Sequence, residues 1–170
     1  KSTLLSVLAG TLEPDDGRVT HRRDTTIGLL GQKDNLADAD TVHHAVVGDT
    51  PEYEWASSPR TRQILAGLIS DVPWEGTVGE LSGGQRRRLS LLLTILDEPN
   101  VLILDEPGND LDTDMLAIVE DLLDGWPGTL ILVTHDRFLM ERVTDQQWAL
   151  LDGHLTHIPV SYTHLTLPTI

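Results

Sequence analysis

Apolar and polar positions follow two periods along this chain. Leu4, Leu5, Val7 and Leu8 recur at helical spacing within Ser2 to Ala9, and Gly10 supplies a stop. After a loop with Pro14 and Gly17, two short strands are predicted at Arg18 to His21 and Thr26 to Leu30, the second closing at Gly31-Gln32. From Lys33 to Leu81 the texture turns polar, broken by Pro51, Pro59 and Pro73, with helical pieces at Thr41 to Val47 and Ser58 to Ile69. A long helical pattern then opens at Leu81 to Gln85 and runs to Leu96. Residues 33–96 thus read as a small helical subdomain inserted into a larger sheet domain. Val101 to Leu104 and Thr129 to Val133 are continuous apolar runs, which strands buried on both faces require. Helices are predicted over Asp112 to Asp124 and His135 to Val143, and Trp148 to Leu151 and Leu155 to Ile158 flank a turn at Asp152-Gly153. Strands alternating with helices predict an α/β domain with a mostly parallel sheet.

Composition narrows the picture. Twelve Lys and Arg face 27 Asp and Glu, a formal net charge of −15 over 170 residues. A surface that tracks a nucleic-acid backbone needs a local excess of cations, so this segment does not wrap one unaided; a single small phosphorylated ligand is compatible. The absence of Cys removes disulfides, thiolate metal sites and cysteine nucleophiles, and fits a cytoplasmic location. No apolar run reaches the roughly 18 residues of a membrane span. Val160 to Ile170 carries no charge and no amphipathic logic, and reads as a translated sequencing-adaptor scar, leaving 1–159 as one partial domain. The start at Lys1 reads as a cut inside a longer protein.

The chemistry gathers in a few short segments. Lys1-Ser2 before an apolar helix matches the last two positions of a phosphate-binding loop, where an ammonium meets phosphates, a hydroxyl meets Mg2+ and helix amides face the anion. Asp105-Glu106 ends a buried strand, the place where ligands collect in open α/β sheets; Asp105 suits Mg2+ and Glu106 suits accepting a proton from water. In Leu81-Ser82-Gly83-Gly84-Gln85, Ser82 caps a helix and the glycines let backbone amides approach an anion.

Leu81 to Gln85, with Asp105 following Gln85 after 19 intervening residues, resembles the signature and catalytic segments of ATP-binding cassette (ABC) ATPases. The resemblance extends over most of residues 1–159. It implies a P-loop NTPase core, incomplete at its N-terminus, that binds ATP and Mg2+. It implies that Lys1, Ser2 and Thr3 hold phosphate, that Ser2, Gln32 and Asp105 meet the metal, and that Glu106 is the general base. Gln32 would also touch the attacking water, and His135 of Thr134-His135-Asp136 the γ-phosphate. Asn109 to Asp112 resembles the D-loop. Ser82, Gly83, Gly84, Gln85 and Asp112 would serve nucleotide held against a second cassette. Arg86-Arg87-Arg88-Leu89, Glu106 to Asp112 and His135-Asp136-Arg137-Phe138 resemble the ABC-F branch, whose two-cassette proteins act on ribosomes or in antibiotic resistance. Gly108 and Asp110 depart from the Thr and His usual in that D-loop. The rival reading is the ATPase subunit of a membrane transporter; a third is that the chain alone, without the P-loop glycines, turns over no ATP. Arg86 to Arg88 reads equally as a solvated helix face or as the compact basic contact for a ribosomal partner. His43 and His44 fit no ligand spacing and read as surface or core residues.

Overall fold

A computed structural model describes residues 1–158; the uncharged segment from Val160 lies outside the described residues. The elements run α1 (Ser2–Leu8), β1 (Ile27–Leu30), α2 (Val42–Val47), α3 (Glu52–Trp55), α4 (Pro59–Leu68), a 3-10 turn at Val78–Glu80, α5 (Gly83–Leu96), β2 (Val101–Asp105), α6 (Thr113–Asp124), β3 (Thr129–Val133), α7 (Arg137–Val143), β4 (Gln147–Leu151) and β5 (His154–Ile158). The fold is α/β. β1, β2 and β3 form one parallel sheet in that order, in register from Ile27↔Val101 to Leu30↔Leu104 and from Val101↔Thr129 to Asp105↔Val133. β4 and β5 pair antiparallel as a separate hairpin.

The central strand explains itself. Leu102, Ile103 and Leu104 are at most 1% exposed, because helices cover the sheet and leave no polar-facing register. α5 packs against both β1 and α4, so Leu89, Leu91, Leu92 and Ile95 are all buried. Burying each such side chain contributes about 2 kcal/mol. The helix comes so near β1 that a Cβ on Gly28 would stand 2.9 Å from the Thr94 side chain. The chain between β1 and β2 carries α2, α3, α4 and α5, and within it Thr41 and Thr77 form an antiparallel bridge.

Caps place the helix boundaries one or two residues inside the predicted ones. Asp112 caps α6 and Asp136 caps α7, each accepting backbone N–H bonds with its side chain, so helix begins at Thr113 and Arg137. Thr134 and His135 are thereby left in the loop after β3. The short α3 and the 3-10 turn lack the length to show as a period. The predicted strand at Arg18 to His21 does not form. These residues are exposed and join no ladder, and the ring Nε2 of His21 against Leu8 O at 2.7 Å holds the segment to α1.

Candidate functional site

Parallel strands aim their carboxyl ends at one sheet edge, and most of the expected chemistry meets there. Asp105, the last residue of β2, is 2% exposed, and its carboxylate accepts the Ser2 hydroxyl at 2.5 Å. Lys1 is the N-cap residue of α1 and Thr3 sits in its first turn, both exposed beside Ser2. Glu106 follows Asp105 with φ of 51°, a left-handed conformation unusual for a residue with a long side chain. Holding it there costs about 1–3 kcal/mol, a strain found where function fixes the backbone. Its N–H still donates to Val133 O at 2.8 Å, so the residue is anchored to the β3 end while its side chain turns away from the ladder.

The Glu106 carboxylate meets the loop after β3. The His135 N–H donates to one of its oxygens at 3.2 Å, and the His135 ring Nε2 lies 3.3 Å from the other. The carboxylate side chain is 13% exposed while the imidazole is 82% exposed. One partner is thus sheltered and the other open to a ligand. Gln32 stands just past the end of β1, exposed at the same sheet edge. Among the described residues no three His, Cys, Asp or Glu side chains cluster as a metal site. The hydroxyl of Ser2 and the one carboxylate of Asp105 suit Mg2+, which keeps waters and takes its remaining ligands from phosphates.

The other expected residues form a second group. Ser82 caps α5 in a reciprocal capping box: its hydroxyl accepts the Gln85 N–H, and the Gln85 side chain accepts the Ser82 N–H at 3.0 Å. Ser82, Gly84 and Gln85 line a polar cavity of about 180 Å³ together with Arg88, Asp110, Asp112 and Met115. Gly83 is exposed beside them. A Cβ on Gly84 would stand 2.6 Å from Asp110 O, so this glycine is required by the approach of the loop before α6. Asp112 uses its carboxylate to cap α6, accepting Met115 N–H at 2.8 Å.

The arginine run is neither a solvated helix face nor a basic patch. Arg86 pairs with Asp34 and Asp38 at 2.6 Å each, and its hydrogen bond holds the Asp34 carboxyl below its ordinary range. Arg88, 7% exposed, forks onto Asp71 at 2.5 and 2.8 Å and donates to Leu68 O at 2.8 Å. Arg87 donates to main-chain carbonyls at the sheet edge. All three point inward, because α5 is enclosed by the sheet edge, the segment after Gln32 and the end of α4. Periodicity carries no sign of partners as far as 56 residues away. His43 lies against Trp74 with ring centroids 5.3 Å apart, and His44 is an exposed partner of Asp40.

The sequence model of the ABC transporter family matches residues 1–109. Among curated proteins, the chain is 37% identical over 150 residues to the uncharacterized ABC transporter ATP-binding protein YfmR of Bacillus subtilis, covering 86% of the chain and 24% of that protein. It is 37% identical over 158 residues to the tylosin resistance ATP-binding protein TlrC of Streptomyces fradiae, covering 90% and 27%. The chain therefore spans about a quarter of the length of these relatives. Among solved structures, the archaeal ribosome recycling factor aABCE1, in complex with the ribosomal stalk protein aP1, superposes with a TM-score of 0.76 at 26% identity, covering 87% of this chain and 29% of that one.

Proposed function

The chain belongs to the ABC transporter family, and on that premise we propose that it is one ATP-hydrolysing cassette of a two-cassette protein of the ABC-F kind. The contact series Ser2–Asp105, then Glu106–His135, at the carboxyl edge of a parallel sheet carries the ATPase part of this reading, and the ABC-F part is supported by Arg86 to Leu89, Glu106 to Asp112 and His135 to Phe138. Relatives named for tylosin resistance and for ribosome recycling support a protein that works with ribosomes. Among the described residues no helix is long and apolar enough to cross a membrane. We further propose that residues 1–159 form the cassette, with 33–96 as its helical part.

The roles follow from placement. Lys1, Ser2 and Thr3 at the start of α1 receive the β and γ phosphates of ATP, helped by amides that begin the helix. Ser2, Asp105 and Gln32 would hold Mg2+, which when bound would neutralise phosphate charge. Glu106 accepts the proton of the attacking water, sheltered enough to stay directed and held in its strained conformation by the Val133 carbonyl. His135 is open to the γ-phosphate, and drawing its ring toward that anion would release the Glu106 oxygen it now faces. With the Ser82 and Gln85 amides taken up by the capping box, the Gly83 and Gly84 amides, beside the loop that ends at Asp112, face the nucleotide of the opposing cassette.

In the two-cassette protein, Glu106→Gln keeps the shape and removes the base. Steady-state turnover is expected to fall about 10²-fold or more, while ATP binding measured by calorimetry stays within a few-fold. Undiminished turnover would remove Glu106 from the chemistry.

A further inference from the structure

Arg87 is the one member of the arginine run that takes no carboxylate partner among the described residues. Its half-buried guanidinium donates through Nη1 to Gly31 O at 2.5 Å, and through Nη2 to Asp105 O at 2.5 Å and Glu106 O at 3.0 Å. Its Nε is buried and meets no acceptor. Burial presses against the charged form, opposed by the nearby charges of Asp105, Asp110, Asp34 and Glu106. A cation placed at that cost to reach carbonyls alone needs an explanation beyond filling space.

The carbonyls it reaches supply one. The β1 and β2 ladder ends at Leu30↔Leu104, and β2 runs on beside β3 to Asp105↔Val133, so all three carbonyls lie at or just past strand ends. Because the peptide unit is planar, fixing a carbonyl fixes the peptide that contains it. Gly31 C=O belongs to the peptide leading into Gln32. The Asp105 and Glu106 carbonyls belong to the peptides before and after Glu106. One planar fork therefore clamps the backbone on both sides of the strained Glu106 and on the near side of Gln32. Its own helix carries Gly84 three residues earlier, against Asp110 O.

Resting on the cassette reading above, we propose that Arg87 is a positioning residue for ATP hydrolysis. It sets Gln32 and Glu106 at the sheet edge and ties them to the Ser82 to Gln85 loop of the same cassette. A nucleotide seated on that loop from the opposing cassette is thereby felt at Glu106.

The test uses the two-cassette protein with Arg87→Ala and Arg87→Lys. With Arg87→Ala, kcat is expected to fall about 10-fold to 10²-fold, the scale of a misplaced reacting group, while KM for ATP stays within about threefold. Millimolar guanidinium chloride, entering the space left by the side chain, is expected to restore part of kcat in Arg87→Ala and none in wild type. Arg87→Lys, which reaches fewer acceptors, is expected to show an intermediate kcat at unchanged KM. It decides the matter if the alanine variant does not fold. A kcat within twofold of wild type in a folded variant overturns the role, as does a parallel loss of kcat and ATP affinity without guanidinium rescue. Wild-type protein that hydrolyses no ATP overturns the cassette reading itself, and this role with it.

Discussion

Gly83 and Gly84 look interchangeable in the sequence, yet they stand in different surroundings. A Cβ at Gly83 meets nothing within 4 Å, whereas one at Gly84 meets the Asp110 carbonyl at 2.6 Å, and that backbone cannot step aside cheaply. Gly84→Ala is therefore expected to destabilise the fold by about 1–3 kcal/mol, as overpacking does, measured by urea unfolding. Gly83→Ala is expected to stay within about 0.5 kcal/mol of wild type, as substitutions on open surface do. Any activity lost in Gly83→Ala then reports anion access alone. Equal destabilisation by both would show that the loop before α6 does not rest on α5. Glu106 shows the same principle in reverse. Its φ of 51° is tolerable because the β3 end and Arg87 fix it from outside, and neither constraint is visible from an Asp-Glu pair in a sequence.

Among the elements, α5 is the hub, and its three arginines reach three different segments. Arg86 holds the stretch after Gln32 through Asp34, Arg87 the strand ends, and Arg88 the end of α4 through Asp71. The strongest influence on both Asp34 and Asp71 is the arginine hydrogen bond, which lowers each carboxyl from its ordinary 3.8. A carboxyl depressed in the folded state stabilises the fold above its unfolded pKa, and that stability is lost as pH falls through the lower folded value. Unfolding free energy is thus expected to be flat from neutral pH down to about 5 and to decline below about 4. Asp71 is half-exposed, so solvent screening limits the Asp71 share to about 1 kcal/mol. Asp34→Asn with Asp71→Asn should flatten the acid limb in chemical denaturation; an unchanged limb would assign it to other carboxylates. The apolar run of β2 and the cap at Ser82 were legible in the sequence, because burial on both faces and helix starts leave local patterns; β3 forms where its apolar run stands, but it is the outer strand of the described sheet and none of its residues is buried, so the expectation of burial on both faces holds for β2 and fails for β3. The strand expected at Arg18 to His21 was misread because so short a segment carries no sign of whether a partner strand lies beside it. The ends of the arginine pairs were illegible for the same reason, since their partners are distant in the chain. The residues of the Ser2, Asp105, Glu106 and His135 cluster were legible as types in order, but not the hydroxyl contact at 2.5 Å or the strain at Glu106.

At the scale of the whole molecule, charge and its placement decide what this piece can touch. Of the twelve cationic side chains, Arg60, Arg62, Arg86, Arg87, Arg88 and Arg142 are engaged by carboxylates or main-chain carbonyls of the fold. Arg18, Arg22 and Arg23 are exposed together, but Asp15, Asp16 and Asp24 are exposed in the same loop. Neutralising phosphates releases counterions only where cations outnumber carboxylates locally, and a net charge of −15 opposes approach before any contact forms. The 170-residue chain is therefore expected to bind labelled single-stranded or duplex RNA no more tightly than about 10⁻⁴ M at physiological salt, measured by fluorescence anisotropy. Affinity in the low micromolar range that survives loss of Arg18, Arg22 and Arg23 would mean that the arginines of α5 leave their internal partners, and would undo the account of α5 as an enclosed hub. If the two-cassette protein binds ribosomes while this chain ignores RNA, the contacts lie in other segments. Ribosome binding should then survive Arg18→Ala, Arg22→Ala and Arg23→Ala together with little change in its salt dependence.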